Sequence, residues 1–376
     1  MVPGLCLLLL LLPALLGASE STPEPCELVE LNDVDDGCFC NFTGPQPDWN
    51  SATQCIAAAE VEVRGGGHDL EPFLKLADID PKEYAHVLKA LRLRRLTVGN
   101  ARVPGQLLVS ALRGLGFSRL KELTLEDLEV TGTLPPLPVD NTGPALSTLR
   151  LRNVSWPTGA AWLADLQQWL KPGLRVLRIA QAHSLAFPCA RLRPFPTLTN
   201  LDLSDNPALG ERGLIKTLCP HKFPALRDLA LRNAGVETPG AVCAALAAAG
   251  VRPHSLDLSH NALRTPAPAA RGCVWPSTLN ALNLSFAGLE QVPKGLPAQL
   301  SVLDLSCNLL NSEPRQDQLP KVKNLILKGN PFLDPEAFMH QGDPSNSAAV
   351  SACASSALTA GVSGTLALLP VARGFA

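Results

Sequence analysis

The 376-residue sequence lacks the short motifs that carry most hydrolytic, phosphoryl-transfer and metal chemistry. It has no His-Glu-x-x-His, no Gly-x-Ser-x-Gly and no phosphate-loop lysine. Its 7 histidines are scattered without metal-ligand spacing. The acidic segment DVDDG lacks the distal glutamate of a calcium loop, and the glycine run RGGGH is more typical of a turn. These absences predict a binding protein without catalytic residues, cofactor or metal.

The sequence also lacks an excess of charge of either sign. Its formal net charge is -2, so any contact driven by charge must come from a local patch. Bases do cluster locally at Lys89, Arg92, Arg94 and Arg95. Because the chain as a whole has no excess of positive charge, we predict no nucleic-acid partner.

No apolar run is long enough to form a membrane-spanning helix. The first run, LCLLLLLLPALLGAS, is followed by small residues and is typical of a secretory signal, which we assign to residues 1–19. Secretion places the later cysteines in a compartment where disulfides form. Three acceptors for N-linked sugars fit the same compartment: Asn41, Asn153 and Asn283.

The carboxyl-terminal segment ALTAGVSGTLALLPVARGFA is moderately apolar and follows a polar stretch. This order predicts a polar linker and a removable GPI-anchor signal within residues 336–376, with attachment at Asn346. The protein would then occupy the extracellular face of the cell membrane, with a secreted soluble form. Pro370 and Arg373 are unusual in such a signal, and the alternative is a soluble terminus.

What the sequence has in abundance is self-similarity. The phrase Leu-x-x-Leu-x-Leu-x-x-Asn-x-Leu recurs clearly in LTNLDLSDNPAL, PHSLDLSHNAL, LSVLDLSCNLL and VKNLILKGNPF, and in degraded form elsewhere. Intervals of 21 to 28 residues separate the first leucines of successive Leu-x-Leu pairs, as in leucine-rich repeats. Those leucines are Leu96, Leu123, Leu149, Leu177, Leu201, Leu229, Leu256, Leu282, Leu303 and Leu325.

Period-two alternation directs both leucines of each pair into the interior and the residue between them to the inner surface. One repeat cannot bury its leucines alone, so stacked repeats complete the core. The sequence predicts an α/β solenoid over residues 61–335, a leucine-rich repeat horseshoe with a parallel concave β-sheet of about 11 strands. Its convex side should hold irregular loops and short helices, including one over WLADLQQWLK that buries Trp162 and Trp169.

An asparagine closes four repeats and should turn inward to satisfy backbone groups of the bend: Asn206, Asn261, Asn308 and Asn330. The remaining repeats hold another residue in this slot and should be less regular: Ala101, Leu128, Val154, Ala182, Ala234 and Ala287.

Cysteine spacing predicts a stapled cap and two bridges. Cys189 and Cys219 are 30 residues apart, as are Cys243 and Cys273, which suits bonds between neighbouring turns. Four further cysteines predict a cap over residues 20–60 with three possible pairings: Cys26, Cys38, Cys40 and Cys55. Cys307 is left over and is predicted to be a free, buried thiol.

The longest gap between strands precedes Leu96. Within it, DPKEYAHVLKAL predicts a helix capped by Asp80 and started by Pro81, and LEPFLKL adds further apolar residues. This apolar face either seals the first repeat or encloses a cavity suited to acyl chains, with anionic groups near the bases Arg92, Arg94 and Arg95. The predicted apolar pocket comprises Ile56, Phe73, Leu74, Tyr84, Val87, Leu88 and Leu91.

A sugar on Asn283 would obstruct the concave face in the carboxyl-terminal half. We therefore expect a ligand to bind at the amino-terminal end. The alternative is an adhesion or matrix module that binds a protein through concave residues such as Thr97, Asp202, Asp257 and Asp304. No cysteine group follows the strand at Leu325, so the last strand should offer unpaired backbone groups to a second copy. We therefore predict a homodimer through the carboxyl-terminal edge.

Several segments together resemble the monocyte differentiation antigen family, leucine-rich repeat co-receptors for lipopolysaccharide on myeloid cells. They are TPEPCEL and PQPDW in the cap, RRLTVG, LKELTLEDL and PHSLDLSHN in the repeats, and NLSFAGLEQVPKGLP beyond them. The resemblance runs from the signal to the tail. It implies a receptor that takes lipopolysaccharide and other acylated microbial amphiphiles from a lipopolysaccharide-binding serum protein. It also implies transfer to a Toll-like receptor with its lipid-binding accessory protein.

The resemblance further implies pocket walls at Ile56, Phe73, Tyr84 and Leu91. It implies the disulfides Cys26–Cys40, Cys38–Cys55, Cys189–Cys219 and Cys243–Cys273. Two positions depart from the family pattern. Thr53 stands where an aromatic residue is expected, and Asn324-Leu325-Ile326 lacks the hydroxyl residue of a sugar acceptor.

Overall fold

The computed structural model describes residues 24–31, 36–44, 47–65, 80–135, 143–264 and 273–333. In these ranges the strands form one 13-stranded sheet in which each strand pairs with the next along the chain. The pairing of β1 with β2 is antiparallel, and all later pairings are parallel. The strands are β1 Cys26–Glu30, β2 Asp36–Phe42, β3 Glu60–Gly65, β4 Arg95–Pro104, β5 Glu122–Thr131, β6 Thr148–Ser155, β7 Val176–Ala180, β8 Asn200–Asp202, β9 Asp228–Ala230, β10 Ser255–Asp257, β11 Ala281–Asn283, β12 Gln299–Asp304 and β13 Lys321–Ile326.

Short helices lie in the connections between strands. The α-helices are α1 Ala85–Ala90, α2 Gly105–Leu115, α3 Trp162–Gln168, α4 Gly210–Thr217 and α5 Pro239–Ala249, and 3₁₀ helices span Trp49–Ala57, Pro81–Tyr84 and Gly159–Ala161. The predicted tryptophan helix is confirmed, because Trp162 and Trp169 are both buried. Parallel strands need such crossover connections, since a tight hairpin cannot join them.

The paired leucines form the interior column that the repeat predicts. Leu96 lies opposite Leu123, and the register continues repeat by repeat to Leu303 and Leu325. From Leu96 to Leu303 these leucines are at most 2% exposed. Burial of a leucine side chain contributes about 1.5–3 kcal/mol, so the column is a main source of stability. The predicted leucine-rich repeat horseshoe is confirmed.

The closing asparagines bond to the preceding turn as well as to their own. Asn261 donates from Nδ2 to the carbonyl oxygens of Leu231 (2.7 Å) and Leu258 (2.9 Å). Its Oδ1 accepts from the backbone N–H groups of Ala234 (2.9 Å) and Val236 (3.1 Å). The other three closing asparagines are buried and make corresponding bonds. The predicted inward turn is confirmed.

The repeats that lack this asparagine follow two different patterns. Ala182, Ala234 and Ala287 each have their N–H group bonded by the asparagine of the next repeat. In the amino-terminal half, strand pairing instead continues through the slot, where Ala101 pairs with Leu128 and Leu128 with Val154. Those strands are therefore longer, with 10 residues in β4 and β5. The prediction of lower regularity is wrong there, because ladder hydrogen bonds replace the side-chain amide.

The residue before the slot is left-handed along the whole solenoid. Positive φ occurs at Asn100, Asp127, Asn153, Gln181, Asp205, Asn233, His260, Phe286 and Cys307, and Gly329 completes the series. A bulky residue is uncommon in this conformation. Phe286 (φ 54°) stacks on His260 of the preceding repeat with ring centroids 4.3 Å apart. Contact between neighbouring repeats therefore stabilises an otherwise unfavourable backbone.

Four disulfides join eight of the nine described cysteines: Cys26–Cys40, Cys38–Cys55, Cys189–Cys219 and Cys243–Cys273. They are the pairs that the family resemblance implies. The first two lie in the cap, and the other two connect neighbouring turns. Each bond restricts the unfolded chain and so favours the folded state.

Cys307 corrects one prediction. The spacing argument leaves it as a free thiol, but Cys307 is disulfide-bonded. The prediction assumed that Cys353 is removed with the anchor signal, which leaves an odd number of cysteines and Cys307 without a partner.

The asparagine network generates a stability prediction. Asn261→Ala should lower the free energy of unfolding by roughly 3–4 kcal/mol, because it leaves several buried backbone groups without partners. Asn280→Ala is the matched control, since Asn280 is exposed, and it should change stability by less than about 0.5 kcal/mol. Chemical denaturation of both variants measures the difference, and equal effects would contradict the assigned role of the amide.

Candidate functional site

The amino-terminal end of the sheet is closed by a small cross-linked cap. β1 and β2 form a hairpin, and β1 packs against the 3₁₀ helix Trp49–Ala57. Phe42 and Trp49 bring their rings to a centroid distance of 4.2 Å. The two cap disulfides approach closely, with 3.4 Å between the sulfurs of Cys40 and Cys55. This cap presents a rigid surface at one end of the solenoid.

A helical segment follows the cap, as the sequence predicts. The Asp80 side chain accepts from the N–H of Lys82 (3.1 Å), and Pro81 begins the 3₁₀ helix. α1 continues from Ala85 and ends before Leu91, whose backbone is extended. The segment packs against α2 and so joins the first regular repeat to the cap region.

The structure places the predicted apolar residues in three environments. Tyr84, Leu88 and Leu91 are buried, with 2%, 0% and 4% exposure. Val87 is half-buried, and Ile56 is exposed to 38% on the cap helix. Phe73 and Leu74 lie outside the described residues. The described members therefore line the interior and the surface of the same end of the solenoid.

Sequence reasoning missed a set of exposed apolar residues on the cap. Leu28, Val29 and Leu31 are 56%, 43% and 44% exposed, on β1 or immediately after it. With Ile56 they make up four of the large hydrophobic side chains that the described chain exposes, and we call them the exposed cap residues. The sequence CELVEL does indicate this exposure. Its apolar residues do not alternate with polar ones, so they cannot all lie on the buried face of an edge strand.

Three buried polar atoms near the helical segment have no hydrogen-bond partner in the described structure: Tyr84 Oη, Ser110 Oγ and Arg113 Nε. Arg113 Nη2 lies 4.0 Å from Asp80 Oδ1. Burial raises the pKa of Tyr84 above its usual value, the charge of Arg113 lowers it, and those of Asp80 and Glu83 raise it further. The Tyr84 hydroxyl is therefore a neutral, unsatisfied group in an apolar region.

The three predicted rim bases are exposed beside this region. Arg92 and Arg94 precede β4, and Arg95 begins it. The Arg95 guanidinium pairs with Glu60 at 2.6 Å, with both side chains well exposed. An exposed ion pair contributes little stability, so Arg95 can exchange this partner for another anion at low cost.

Thr53, which departs from the family pattern, has a local structural role. Its hydroxyl donates to the carbonyl oxygen of Asn50 at 2.8 Å within the same 3₁₀ helix. The side chain is half-buried. It presents less apolar surface than an aromatic residue would at this position.

The three sugar acceptors occupy different surfaces. Asn41 is exposed, and its Oδ1 accepts from the Thr43 hydroxyl at 2.7 Å. Asn153 is exposed at the end of β6. Asn283 lies between buried Leu282 and Leu284, and its Oδ1 accepts from the N–H of Ser285 at 2.9 Å. Glycosylation at these positions stays a prediction, as does anchor attachment at Asn346, which lies outside the described residues.

The carboxylates on the concave face accept hydrogen bonds from the backbone. Asp202, Asp257 and Asp304 each accept from the N–H group two residues later, at 2.8–2.9 Å. Burial raises the pKa of Asp257, while the hydrogen bonds from Ser259 lower it. These acids hold the turn after each strand, which leaves them less available to a protein partner.

Comparison with known proteins agrees with this arrangement. No family model matches the chain. Monocyte differentiation antigen CD14 of Bos taurus is 69% identical over 98% of both chains. The Homo sapiens protein of that name is 68% identical over 99% of both. The chain belongs to the monocyte differentiation antigen CD14 family.

This CD14 family member is also related to Toll-like receptors. Toll-like receptor 2 of Equus caballus is 30% identical over 59% of this chain and 28% of the receptor. Among the described residues, no helix is both long and apolar enough to cross a membrane. Sequence relationship and fold thus agree on a leucine-rich repeat protein of receptor type.

Tyr84 generates a prediction about pH. It is the single tyrosine of the chain, so phenolate absorbance reports it alone, and its titration midpoint should exceed 10.0. The folded state holds the phenol proton more tightly than the unfolded chain. This group therefore contributes stability that is fully present below pH about 10 and is lost as pH rises further. Tyr84→Phe is the control, and a midpoint at or below 10.0 would contradict the assigned burial.

Proposed function

We propose that this protein is a non-enzymatic co-receptor of innate immunity that binds bacterial lipopolysaccharide and other acylated microbial amphiphiles. The acyl chains bind at the apolar amino-terminal end, where Ile56 and Val87 are accessible and the buried Tyr84, Leu88 and Leu91 pack behind them. The observation that carries the proposal is the combination of exposed and buried apolar side chains with exposed bases at this end. Phe73 and Leu74 belong to the proposed site by sequence.

Hydrocarbon burial supplies the affinity of this site. Each methylene removed from water contributes about 0.8 kcal/mol, so a twelve-carbon acyl chain gains on the order of 10 kcal/mol before the costs of association. An exposed ion pair contributes at most about 1 kcal/mol. Bases such as Arg92, Arg94 and Arg95 would therefore orient an anionic head group, while the chains determine affinity.

In the proposed function, one protein delivers the lipid ligand to this protein and another receives it. A lipopolysaccharide-binding serum protein delivers the ligand, and a Toll-like receptor with its lipid-binding accessory protein receives it. Family membership and sequence relationship to Toll-like receptor 2 support this order. We propose further that a GPI anchor at Asn346 holds the protein on the outer face of the cell, with a secreted soluble form.

The protein-binding alternative places a protein on the concave face. The backbone bonds of Asp202, Asp257 and Asp304 disfavour it, and a sugar on Asn283 would obstruct the same surface. Lipid binding at the amino-terminal end does not use these residues. The two functions are therefore separable by substitution.

A substitution at the surface tests lipid binding without disturbing the core. Ile56→Asp should weaken binding of a diphosphorylated, acylated lipid A by roughly tenfold or more, because it removes apolar contact and adds a charge. Displacement of a fluorescent acyl probe measures the affinity. Ile215→Asp is the matched control, because Ile215 is exposed to 54% on α4, far along the chain from the cap. Equal affinity of both variants and the unaltered protein would exclude Ile56 from the site.

We also propose that two copies pair through β13. In the described sheet β13 pairs only with β12, so its other side offers free backbone groups. The exposed Lys321 and Lys323 repel their counterparts in a second copy. The dimer should therefore be weak and should strengthen as salt screens these charges.

Salt concentration tests this pairing. Light scattering at tens of micromolar protein should show a dimeric mass, and the dimer should dissociate at higher protein concentrations in low salt than in high salt. Lys321→Gln/Lys323→Gln should strengthen the dimer in low salt and remove most of its salt dependence, because these exposed charges no longer repel their counterparts. A monomeric mass for the unaltered protein would contradict the proposal.

A further inference from the structure

Basic residues recur along the edge of the sheet where the strands begin, in six of the ten repeats from Leu96 to Leu325. The line follows from the backbone register, because the residue two positions before each leading leucine bonds to the next repeat. The Arg94 carbonyl oxygen accepts from the N–H of Lys121 at 2.8 Å, and the Arg175 carbonyl oxygen accepts from that of Thr199 at 2.9 Å. Side chains at this position therefore stack repeat upon repeat.

Two positions of the repeat supply the bases. Four repeats have one at the fourth position before the leading leucine: Arg92, Arg119, Arg252 and Lys321. Five have one at the second position before it: Arg94, Lys121, Arg175, Arg227 and Lys323. Neither position holds an aspartate or glutamate in any repeat from Leu96 to Leu325. All of these bases are exposed, and we call them the basic strip.

Three acids beside the basic strip have partners outside it. Glu122 pairs with Arg150 at 3.0 Å, and Glu60 pairs with Arg95 at 2.6 Å. Asp228 accepts from the Asn200 side chain at 2.9 Å, although its charge also reaches Arg227. Arg119, Arg175 and Arg252 therefore give the strip a local positive charge on a molecule whose net charge is -2.

The dimensions of the strip require an extended partner. Neighbouring strands lie about 4.8 Å apart, so the line from β4 to β13 is roughly 40 Å long. A single phosphate or sulfate would meet only the bases of one or two repeats. A linear chain that carries repeated negative charges can meet most of them at once, and each contact releases counterions.

The chemistry of the strip favours a polysaccharide over a nucleic acid. Single-stranded nucleic acids are held by aromatic side chains on which the bases stack, and neither strip position holds Phe, Tyr or Trp in any repeat from Leu96 to Leu325. The disulfides indicate an extracellular compartment, where linear polyanions are mainly sulfated polysaccharides. We infer that the basic strip binds a linear sulfated polysaccharide of the glycosaminoglycan type.

The sugar acceptors leave this surface open. Asn153 lies near the opposite end of its strand, and Asn283 faces the concave surface one residue after a leading leucine. Neither acceptor occupies a strip position. The inference does not depend on lipid binding, because Arg119, Arg175 and Arg252 lie outside the proposed lipid site.

The test uses heparin and two triple variants of equal net charge. Arg119→Gln/Arg175→Gln/Arg252→Gln removes three bases of the strip. The control Arg212→Gln/Lys216→Gln/Lys294→Gln removes three exposed bases that lie elsewhere. At an ionic strength of about 0.15 M, the strip variant should bind immobilised heparin at least roughly tenfold more weakly than the unaltered protein, while the control variant should bind nearly as well.

Further arms identify the type of partner. Affinity should rise with heparin chain length, because a disaccharide cannot span the strip. The inference is overturned if the two triple variants lose affinity equally, if a heparin disaccharide binds as tightly as the polymer, or if the unaltered protein does not bind heparin. Tighter binding to single-stranded RNA or to vesicles of phosphatidylserine than to heparin would also overturn it. Lipid A affinity of the strip variant should stay unchanged, which separates this result from failure of the proposed lipid site.

Discussion

The fold depends on one constraint: the leucine pair of a repeat is buried only when another repeat packs against it. The interior column from Leu96 to Leu303 meets this constraint without interruption. The constraint fails at the two ends of the described sheet, because each end strand has a neighbouring strand on one side only. One end carries a disulfide-linked cap and the other ends in β13. Lipid is proposed to bind at the amino-terminal end and a second copy at β13. Both surfaces are ones that no neighbouring repeat covers.

Inside the solenoid and on its concave face, polar side chains make their hydrogen bonds within the protein. Asn206, Asn261 and Asn308 bond across turns, and the concave aspartates bond to the N–H groups that follow them. Polar groups that satisfy buried backbone are costly to redirect toward a ligand. The amino-terminal end differs, because it contains an unsatisfied hydroxyl at Tyr84 and exposed apolar side chains on the cap. This contrast favours lipid binding there over protein binding on the concave face.

Local periodicity predicted the repeats, the leucine column and the inward asparagines, because each depends on residues within one repeat. Features set by contacts between repeats were not predictable in the same way. The long strands β4 and β5 require matched partners about a repeat apart, and the left-handed Phe286 depends on His260. At the candidate site, the helix after Asp80 was predictable from its cap. For Leu28 and Val29, the sequence CELVEL predicts only that some apolar residues stay exposed, and which ones depends on how β1 pairs with β2.

The central claim is that acyl chains bind at the amino-terminal end, and the single tyrosine of the chain provides a direct measurement. Replacement of Tyr84 by fluorotyrosine gives one fluorine resonance from this end. A lipid A analogue with a nitroxide at the end of an acyl chain should broaden that resonance strongly at saturation, whereas the same label on the head group should broaden it less. A resonance that stays sharp with the acyl-labelled ligand at saturation would show that the acyl chains bind elsewhere and would contradict the account.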